Sequence, residues 1–353
     1  MADYNLNYTD SISLLAAYEE NKAPNTFLQS RYFPDGTTFS TDEVIIEYKE
    51  GSQKLAPFVS PEIGGVAMRR NGYSVKTFKP GNIAPKRTLT IDTLKKKGFG
   101  EAYYHQLSPD ERALLITAQD LKDMDEMITR RIEWMCAEIL RNNAVSMDEK
   151  TDDKDKPIKK HIAFYDGSAN DAIFTPAKSW SEADATILED IGVICKTLRQ
   201  HSLPAVDVIM GSDAADSIMS NEKILKLLDN RRYELGVVDP TQMFDDAVLC
   251  ANLNVKGSKL NFIQYDGSYQ DEQGKLQYYI KPDEIIITAP NCGVTNYGAI
   301  YQIDYGATDF RKYVGRRVPR FEIEKQTKSV ILSSAPFVQP KNRNPFIYSK
   351  VLF

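Results

Sequence analysis

The chain has 353 residues, of which 42% are hydrophobic and 26% charged, and its 49 acidic and 44 basic side chains give a formal net charge of −5. This length exceeds the usual size of one domain and predicts two structural units in a soluble globular protein. The negative balance argues against a dedicated nucleic-acid-binding protein, because phosphate contacts need a basic surplus or a basic stripe.

The cysteines and the apolar segments exclude further classes of protein. Cys136, Cys195, Cys250 and Cys292 are far apart and form no CxxC pair, so we expect small buried hydrophobes rather than a zinc ribbon or a dithiol redox motif. The sequence does not open with a basic region followed by an apolar run, and no apolar segment approaches the ~20 residues of a membrane span. We therefore expect neither a signal peptide nor a membrane helix.

The first fifty residues predict an arm followed by a strand. Residues 11–20 fit a short helix with Leu14, Leu15 and Tyr18 on one face, whereas residues 21–36 look irregular. Residues 43–49 alternate with period two, which predicts a strand.

Residues 56–90 form a long stretch with four prolines, few large apolar residues and a strand-like piece at Tyr73–Phe78. A ribbon of this kind cannot bury enough apolar surface to be stable alone. We expect it to be ordered by lying on another copy of the same chain.

Residues 108–144 carry the strongest helical pattern. Ser108-Pro109-Asp110-Glu111 is a capping box with proline at the first helical position. The apolar residues that follow are spaced by three, four or seven and form one stripe: Leu114, Ala118, Leu121, Ile128, Ile132, Met135 and Ile139. Such a helix is a rod roughly 50 Å long, which crosses a domain rather than sitting inside one. The charged residues 147–160 then predict a solvated hairpin tip or loop.

The second half of the chain mixes helical and strand patterns. We predict helices over 183–200, 214–220 and 221–232, and strands over 161–165, 206–210, 260–263, 277–280 and 284–288. Extended segments return at 321–323, 329–332 and 346–351. This order of elements indicates an α+β or α/β domain.

No pattern indicates a catalytic or metal site. His105, His161 and His201 are scattered and lack the HxxxH or HExxH spacing. Gly211-Ser212-Asp213 is similar to a strand-to-helix nucleophile turn, but it lacks the second glycine of GxSxG, and a helix-capping role explains the serine. We expect no catalytic residue, no metal and no cofactor.

A series of short motifs runs along nearly the whole chain. The motifs are Ser13-Leu14-Leu15-Ala16-Ala17, Phe27-Leu28, Phe33, Ala56-Pro57, Ser60-Pro61, Arg69-Arg70, Gly72, Phe78-Lys79-Pro80-Gly81, Pro85-Lys86, Arg231-Arg232, Tyr297-Gly298 and Ser334-Ala335-Pro336. No single motif is a strict signature, but their order and spacing are specific together. In this order they resemble the major capsid proteins of tailed bacteriophages, in the lambda major head protein E family.

The resemblance implies an α+β fold of the Hong Kong ninety-seven type, also called the Johnson fold. The implied parts are an N-terminal arm at 1–40, an extended loop at 41–92, a peripheral domain at 93–170 and 306–353 with a spine helix at 109–144, and an axial domain at 171–305. The final segment is strand-like and needs partners from earlier in the chain, which agrees with a split peripheral domain.

The resemblance also implies assembly rather than catalysis. Hexamers and pentamers would close into an icosahedral shell around packaged double-stranded DNA, with the protein in the virion and, during assembly, in the host cytoplasm. The implied partners are other copies of the chain, a scaffold protein, a portal and a candidate decoration protein. The net negative charge is compatible with a shell that does not adhere to the DNA it stores, and no membrane is involved.

Eight residues of the extended loop are candidates for contact with a neighbouring subunit. We expect four apolar anchors, two lysines at the rim and two arginines that face a neighbour's acidic rim: Phe58, Val59, Val75, Phe78, Lys54, Lys79, Arg69 and Arg70. On this view Phe78→Asp leaves the subunit folded and blocks shell formation.

Two other interpretations stay open. One is a soluble enzyme whose site residues are dispersed along the chain, and the other is a shell of the same fold that encloses cargo rather than a genome. Self-assembly separates both shells from the enzyme, and the neighbouring genes separate the two shells.

Overall fold

The computed structural model describes residues 24–41, 43–49, 73–95, 109–149, 158–164, 172–182, 184–228, 236–237, 240–243, 246–271, 273–304, 308–324 and 327–353. The helices in these ranges are α1 (Phe27–Tyr32), α2 (Ile91–Lys95), α3 (Pro109–Asn142), α4 (Ile187–Gln200), α5 (Ser212–Met219) and α6 (Glu222–Leu228). The strands are, in chain order, β1 (Asp35–Thr38), β2 (Val44–Lys49), β3 (Tyr73–Phe78), β4 (Lys86–Leu89), β5 (Ala144–Glu149), β6 (Ile158–Ala163), β7 (Ile173–Phe174), β8 (Asp207–Met210), β9 (Gly236–Val237), β10 (Thr241–Gln242), β11 (Ala247–Val255), β12 (Ser258–Tyr265), β13 (Ser268–Gln270), β14 (Leu276–Tyr278), β15 (Glu284–Thr288), β16 (Gly293–Tyr297), β17 (Ala299–Ile303), β18 (Phe310–Val314), β19 (Val318–Glu324), β20 (Thr327–Ser333), β21 (Pro336–Pro340) and β22 (Ile347–Lys350).

The long helix α3 confirms the helix predicted over residues 108–144 and spans 34 residues. The stripe residues Ile128, Ile132, Met135 and Ile139 are buried, whereas the stripe residue Leu114 is 72% exposed. Met124, outside the predicted stripe, is also buried, and Leu115 is 57% exposed. Only the C-terminal two-thirds of the helix therefore pack into the subunit's core.

An eight-stranded sheet packs against this helix, with strand order β10-β11-β12-β8-β15-β22-β7 and β9 paired to β11. The pairs β12–β8 and β22–β7 are parallel, and the other pairs are antiparallel. Successive residues of a strand point to opposite faces of the sheet. Ile209 and Ile286 accordingly join the cluster around α1 and α3, while Val208, Met210 and Ile287 join the cluster around α4 and α5. Because both faces are covered, the central strands are almost continuously apolar.

The C-terminal third supplies strands to earlier parts of the chain, as the sequence predicts. β20 lies between β19 and β4, β21 pairs with β16, and β22 adds to the eight-stranded sheet beside β15. β1 joins β16 in parallel. Four antiparallel hairpins stand outside these sheets: β2–β3, β5–β6, β13–β14 and β17–β18.

The prediction that residues 21–36 are irregular is wrong from Phe27 onward. Residues 27–32 form α1, and Phe27, Leu28, Tyr32 and Phe33 are fully buried. Burial of four large apolar side chains stabilises this short helix, since isolated helices of this length are marginal in water.

One smaller prediction is also wrong. Gly211, not Ser212, is the N-cap of α5; the Ser212 hydroxyl donates a hydrogen bond to Asp213 instead. The helix predicted over 221–232 is described only over Glu222–Leu228, and the predicted helix at 11–20 and the Arg231-Arg232 pair lie outside the described residues. The charged segment at 147–160 lies in the β5–β6 hairpin, whose tip at 150–157 is also outside them.

Candidate subunit-contact surface

The hairpin β2–β3 forms the described root of the loop that the sequence analysis assigns to subunit contact. Its six residue pairs run from Val44 opposite Phe78 to Lys49 opposite Tyr73. No other described strand pairs with either edge of this hairpin. Six residues per strand extend about 20 Å, and the connection at 50–72 lies outside the described residues.

The structure describes three of the eight candidate loop residues: Val75, Phe78 and Lys79. Val75 lies on β3 opposite Glu47, Phe78 ends the same strand, and Lys79 is exposed just after it. The other five, Lys54, Phe58, Val59, Arg69 and Arg70, lie outside the described residues.

Phe78 has a role within its own subunit that the sequence analysis does not foresee. Its ring lies 5.6 Å from that of Phe164 and 5.9 Å from that of Phe337, measured between centroids, and the side chain is half-buried against the main core. The expectation that Phe78→Asp leaves the subunit folded is therefore revised, because a carboxylate here would be partly desolvated among aromatic rings. Contact between Phe78 and a neighbour stays a prediction.

In the core of the subunit, a buried carboxylate holds α1 against α3. Glu133 of α3 is fully buried and accepts hydrogen bonds from the backbone N–H groups of Leu28, at 2.7 Å, and Gln29, at 2.9 Å. These are the N–H groups that an N-cap side chain normally satisfies, and the N-cap residue Thr26 makes no such bond. The Tyr265 hydroxyl also donates to Glu133, at 2.9 Å, and burial together with this carboxylate raises the pKa of Tyr265 far above its usual value.

A second buried carboxylate joins α1 to the eight-stranded sheet. Asp207, at the start of β8, accepts two hydrogen bonds from the Arg31 guanidinium, at 2.7 and 3.0 Å, one from the Tyr32 hydroxyl at 3.1 Å and one from the Asn261 amide at 2.8 Å. The hydrogen bond to Asp207 raises the pKa of Arg31, and burial raises that of Tyr32. Every oxygen of this carboxylate is thus paired, which a buried charge requires.

A third buried carboxylate joins the C-terminal end of α3 to the same sheet. Glu284 of β15 accepts a hydrogen bond from Arg141 at 2.9 Å and another from the Tyr348 hydroxyl at 3.0 Å. Arg141 also donates to the backbone carbonyl of Tyr279 at 2.8 Å. Burial, reinforced by Glu284, raises the pKa of Tyr348.

Together, Glu133, Asp207 and Glu284 connect α1 and α3 to each other and to the eight-stranded sheet. None of the three carboxylates was predicted from the sequence. The available signal was an acidic residue inside an apolar pattern: Glu133 stands between Ile132 and Met135, and Asp207 opens an apolar strand.

The described residues contain no group of three or more side chains that could hold a metal ion. All four cysteines are buried and unpaired, as predicted, and burial raises the pKa of Cys292 to about 12, so it is a thiol rather than a reactive thiolate near neutral pH. Among the described helices, none is long and apolar enough to cross a membrane.

Comparison with known proteins identifies the family of the chain. The family described as phage major capsid protein E matches residues 10–351. The chain is 25% identical over 295 residues to the major capsid protein of Enterobacteria phage P21, and the alignment covers 81% of this chain and 82% of the relative. It is 21% identical over 294 residues to the major capsid protein of Escherichia phage lambda, with 82% and 83% covered.

Solved structures share the fold. The crystal structure of a capsid protein of an Escherichia coli CFT073 prophage superposes with a TM-score of 0.61 at 22% identity and covers 98% of this chain and 96% of that one. The mature capsid of bacteriophage PhiM1 superposes with a TM-score of 0.50 at 10% identity, covering 94% and 89%. The α+β fold is therefore the Hong Kong ninety-seven type capsid fold that the resemblance implies. With the family match running over nearly its whole length, the chain belongs to the phage major capsid protein E family.

Proposed function

We propose that this chain forms hexamers and pentamers that close into an icosahedral shell around packaged double-stranded DNA. The observation that carries the proposal is the family match over residues 10–351, which makes the chain a structural subunit of a capsid shell found in the virion. Many weak, symmetric contacts between copies add up to a stable wall. A role without catalysis fits this family, and assembly in the host cytoplasm with a separate scaffold, a portal and a decoration protein completes the proposal.

The domain division belongs to the same proposal. Its parts are an arm at 1–40, an extended loop at 41–92, a peripheral domain at 93–170 with 306–353 and an axial domain at 171–305. Strand pairs cross the boundary between the last two parts, among them β22 with β15, β21 with β16 and β18 with β17. The C-terminal strands would therefore connect the peripheral domain to the axial one.

We also propose that the extended loop lies on a neighbouring subunit. Support comes from the hairpin β2–β3, which pairs with no other described strand, and from Phe58 and Val59, apolar residues in the connection that it carries. Phe58→Asp should leave the unfolding of the isolated subunit unchanged and abolish shells. The matched variant Phe78→Asp should lower the stability of the subunit itself.

Electron microscopy of the purified chain, alone and together with the proposed scaffold protein, tests the shell. Closed particles, curved sheets or five- and six-membered rings are the expected result. Dispersed single subunits in both samples at every concentration would contradict it. The soluble enzyme and the cargo-enclosing shell are not favoured, because the relatives are phage major capsid proteins.

A further inference from the structure

The hairpin β17–β18 has one face inside the subunit and one face outside it. Directly paired residues of an antiparallel hairpin share a face, and the register pairs Ile300 with Tyr313 and Gln302 with Arg311. Ile300 and Gln302 are each 5% exposed, and Ile300 packs with Val318 and Ala335. This face anchors the hairpin to its own subunit.

The opposite face is apolar and exposed. It is formed by Tyr301, Ile303, Phe310 and Val314, which are 51%, 38%, 76% and 49% exposed. Lys312 lies opposite Tyr301, with its ammonium 5.7 Å from the ring centroid. Single exposed apolar side chains are ordinary, but four on one face of a two-stranded sheet mark an interaction site. Neither edge of the hairpin pairs with another described strand, so the backbone also has room for a neighbour.

We propose that this outward face of β17–β18 is a contact surface for a second copy of the chain. The inference rests on the proposed shell function and adds to it a surface separate from the extended loop. Phe310 is the central side chain, because it is the most exposed of the four. Lys312 lies at the rim, where a charge costs little and disfavours wrong partners.

The size of the face indicates which kind of partner it fits. Covering one aromatic side chain buries about 150–250 Å², so two partly exposed rings with Ile303 and Val314 offer on the order of 300–400 Å². A stable two-protein interface needs about 800 Å² on each side. The face is too small to hold a separate partner alone, but it suits a wall in which each subunit contacts several copies at once and the partial areas add.

Photo-crosslinking tests the contact directly. Phe310 is replaced with the photoreactive analogue p-benzoylphenylalanine, and particles are assembled from an equal mixture of ¹⁴N-labelled and ¹⁵N-labelled subunits. After irradiation, mass spectrometry should find crosslinked peptides of mixed isotope at residue 310. The matched control carries the same analogue at Tyr313, on the inward face, and should give crosslinks of one isotope only.

A second variant measures the energetic contribution. Phe310→Asp should raise the concentration needed for assembly at least tenfold, with no change in the unfolding of the subunit. The control is Leu225→Asp on α6, where the parent side chain is 48% exposed. This control should change the concentration needed for assembly less than threefold. In assembled particles, crosslinks of one isotope only at residue 310 would show that another segment of the same chain covers the face, and crosslinks to a different protein would show a different partner. Either outcome would overturn this inference and leave the shell intact. Failure of the unmodified chain to assemble would instead contradict the proposed function and the inference with it.

Discussion

Replacing Glu133 tests the claim that α1 is held by a cap from another helix. In Glu133→Ala, the Leu28 and Gln29 amides and the Tyr265 hydroxyl lose their acceptor in a site without solvent exposure. In Glu133→Gln, the shape of the side chain is kept, but its amide NH₂ group faces the backbone N–H of either Leu28 or Gln29 and cannot accept from it.

The two variants should differ clearly in magnitude. Each buried donor left without a partner costs about 1–3 kcal/mol, and loss of the carboxylate's own desolvation cost offsets part of the total. We therefore expect Glu133→Ala to lower the free energy of unfolding by about 3–5 kcal/mol. Glu133→Gln leaves one donor unpaired, so about 1–2 kcal/mol is expected.

The assay is urea unfolding of the unassembled subunit, followed by tryptophan fluorescence, with hydrogen exchange measured on the peptide that covers α1. Working with the unassembled subunit keeps assembly from adding to the apparent stability. Both variants should speed exchange in α1 before the rest of the chain. Glu222→Ala on α6 is a control, because the exposed i,i+4 pair of Glu222 with Lys226 at 2.9 Å contributes little to stability in water.

An unfolding free energy of Glu133→Ala within about 0.5 kcal/mol of the parent chain, a range typical of uninvolved surface positions, would refute the reasoning. Equal losses for the Ala and Gln variants would show that packing, rather than hydrogen bonding, determines the effect.

Three further predictions follow from the same contacts. Phe78→Ala should lower the free energy of unfolding by about 2 kcal/mol, roughly half the loss for a fully buried ring. The control Phe353→Ala, at a position 69% exposed, should leave urea denaturation unchanged. Equal effects of the two variants would contradict the intrasubunit role of Phe78. Arg31→Met removes the cation from buried Asp207 and should cost about 3 kcal/mol in thermal unfolding, and a neutral result would show that the remaining hydrogen bonds suffice. Burial, and to a smaller extent the hydrogen bond to Asp35, raises the pKa of Tyr297 to about 12. Between pH 10 and 12 the folded state therefore keeps a proton on Tyr297 that the unfolded state loses, because the usual pKa of tyrosine is near 10. Stability must therefore fall as pH rises from 10 to 12, by up to roughly 3 kcal/mol from this group, and Tyr297→Phe should make that fall shallower; an unchanged slope would contradict the assignment.

The elements that sequence patterns predicted are those whose signals are local. α3 begins at Pro109 of the predicted capping box, and the part of its apolar stripe from Ile128 to Ile139 lies in the core. β15 has the predicted bounds, because three successive isoleucines between Glu284 and Thr288 are typical of a strand buried on both faces.

The missed elements depend on contacts across the chain. α1 has only six residues, and its cap is a carboxylate about a hundred positions away, so no local window contains the reason for its stability. Thr26 before it and Pro34 after it were the available boundary signals.

The candidate contact residues show the same limit. Phe78 is an apolar residue in a ribbon with no core of its own, which favours an intersubunit role from sequence alone. Only the fold brings Phe164 and Phe337 to its ring. The outward face of β17–β18 was not predicted, because neither strand was assigned.

Sedimentation velocity over a hundredfold range of concentration, with the purified chain alone and with the proposed scaffold protein, tests the central claim most directly. A shell subunit predicts a cooperative transition from monomer to particles many times larger, above a threshold concentration. A single monomeric species over the whole range in both samples would contradict the proposed shell.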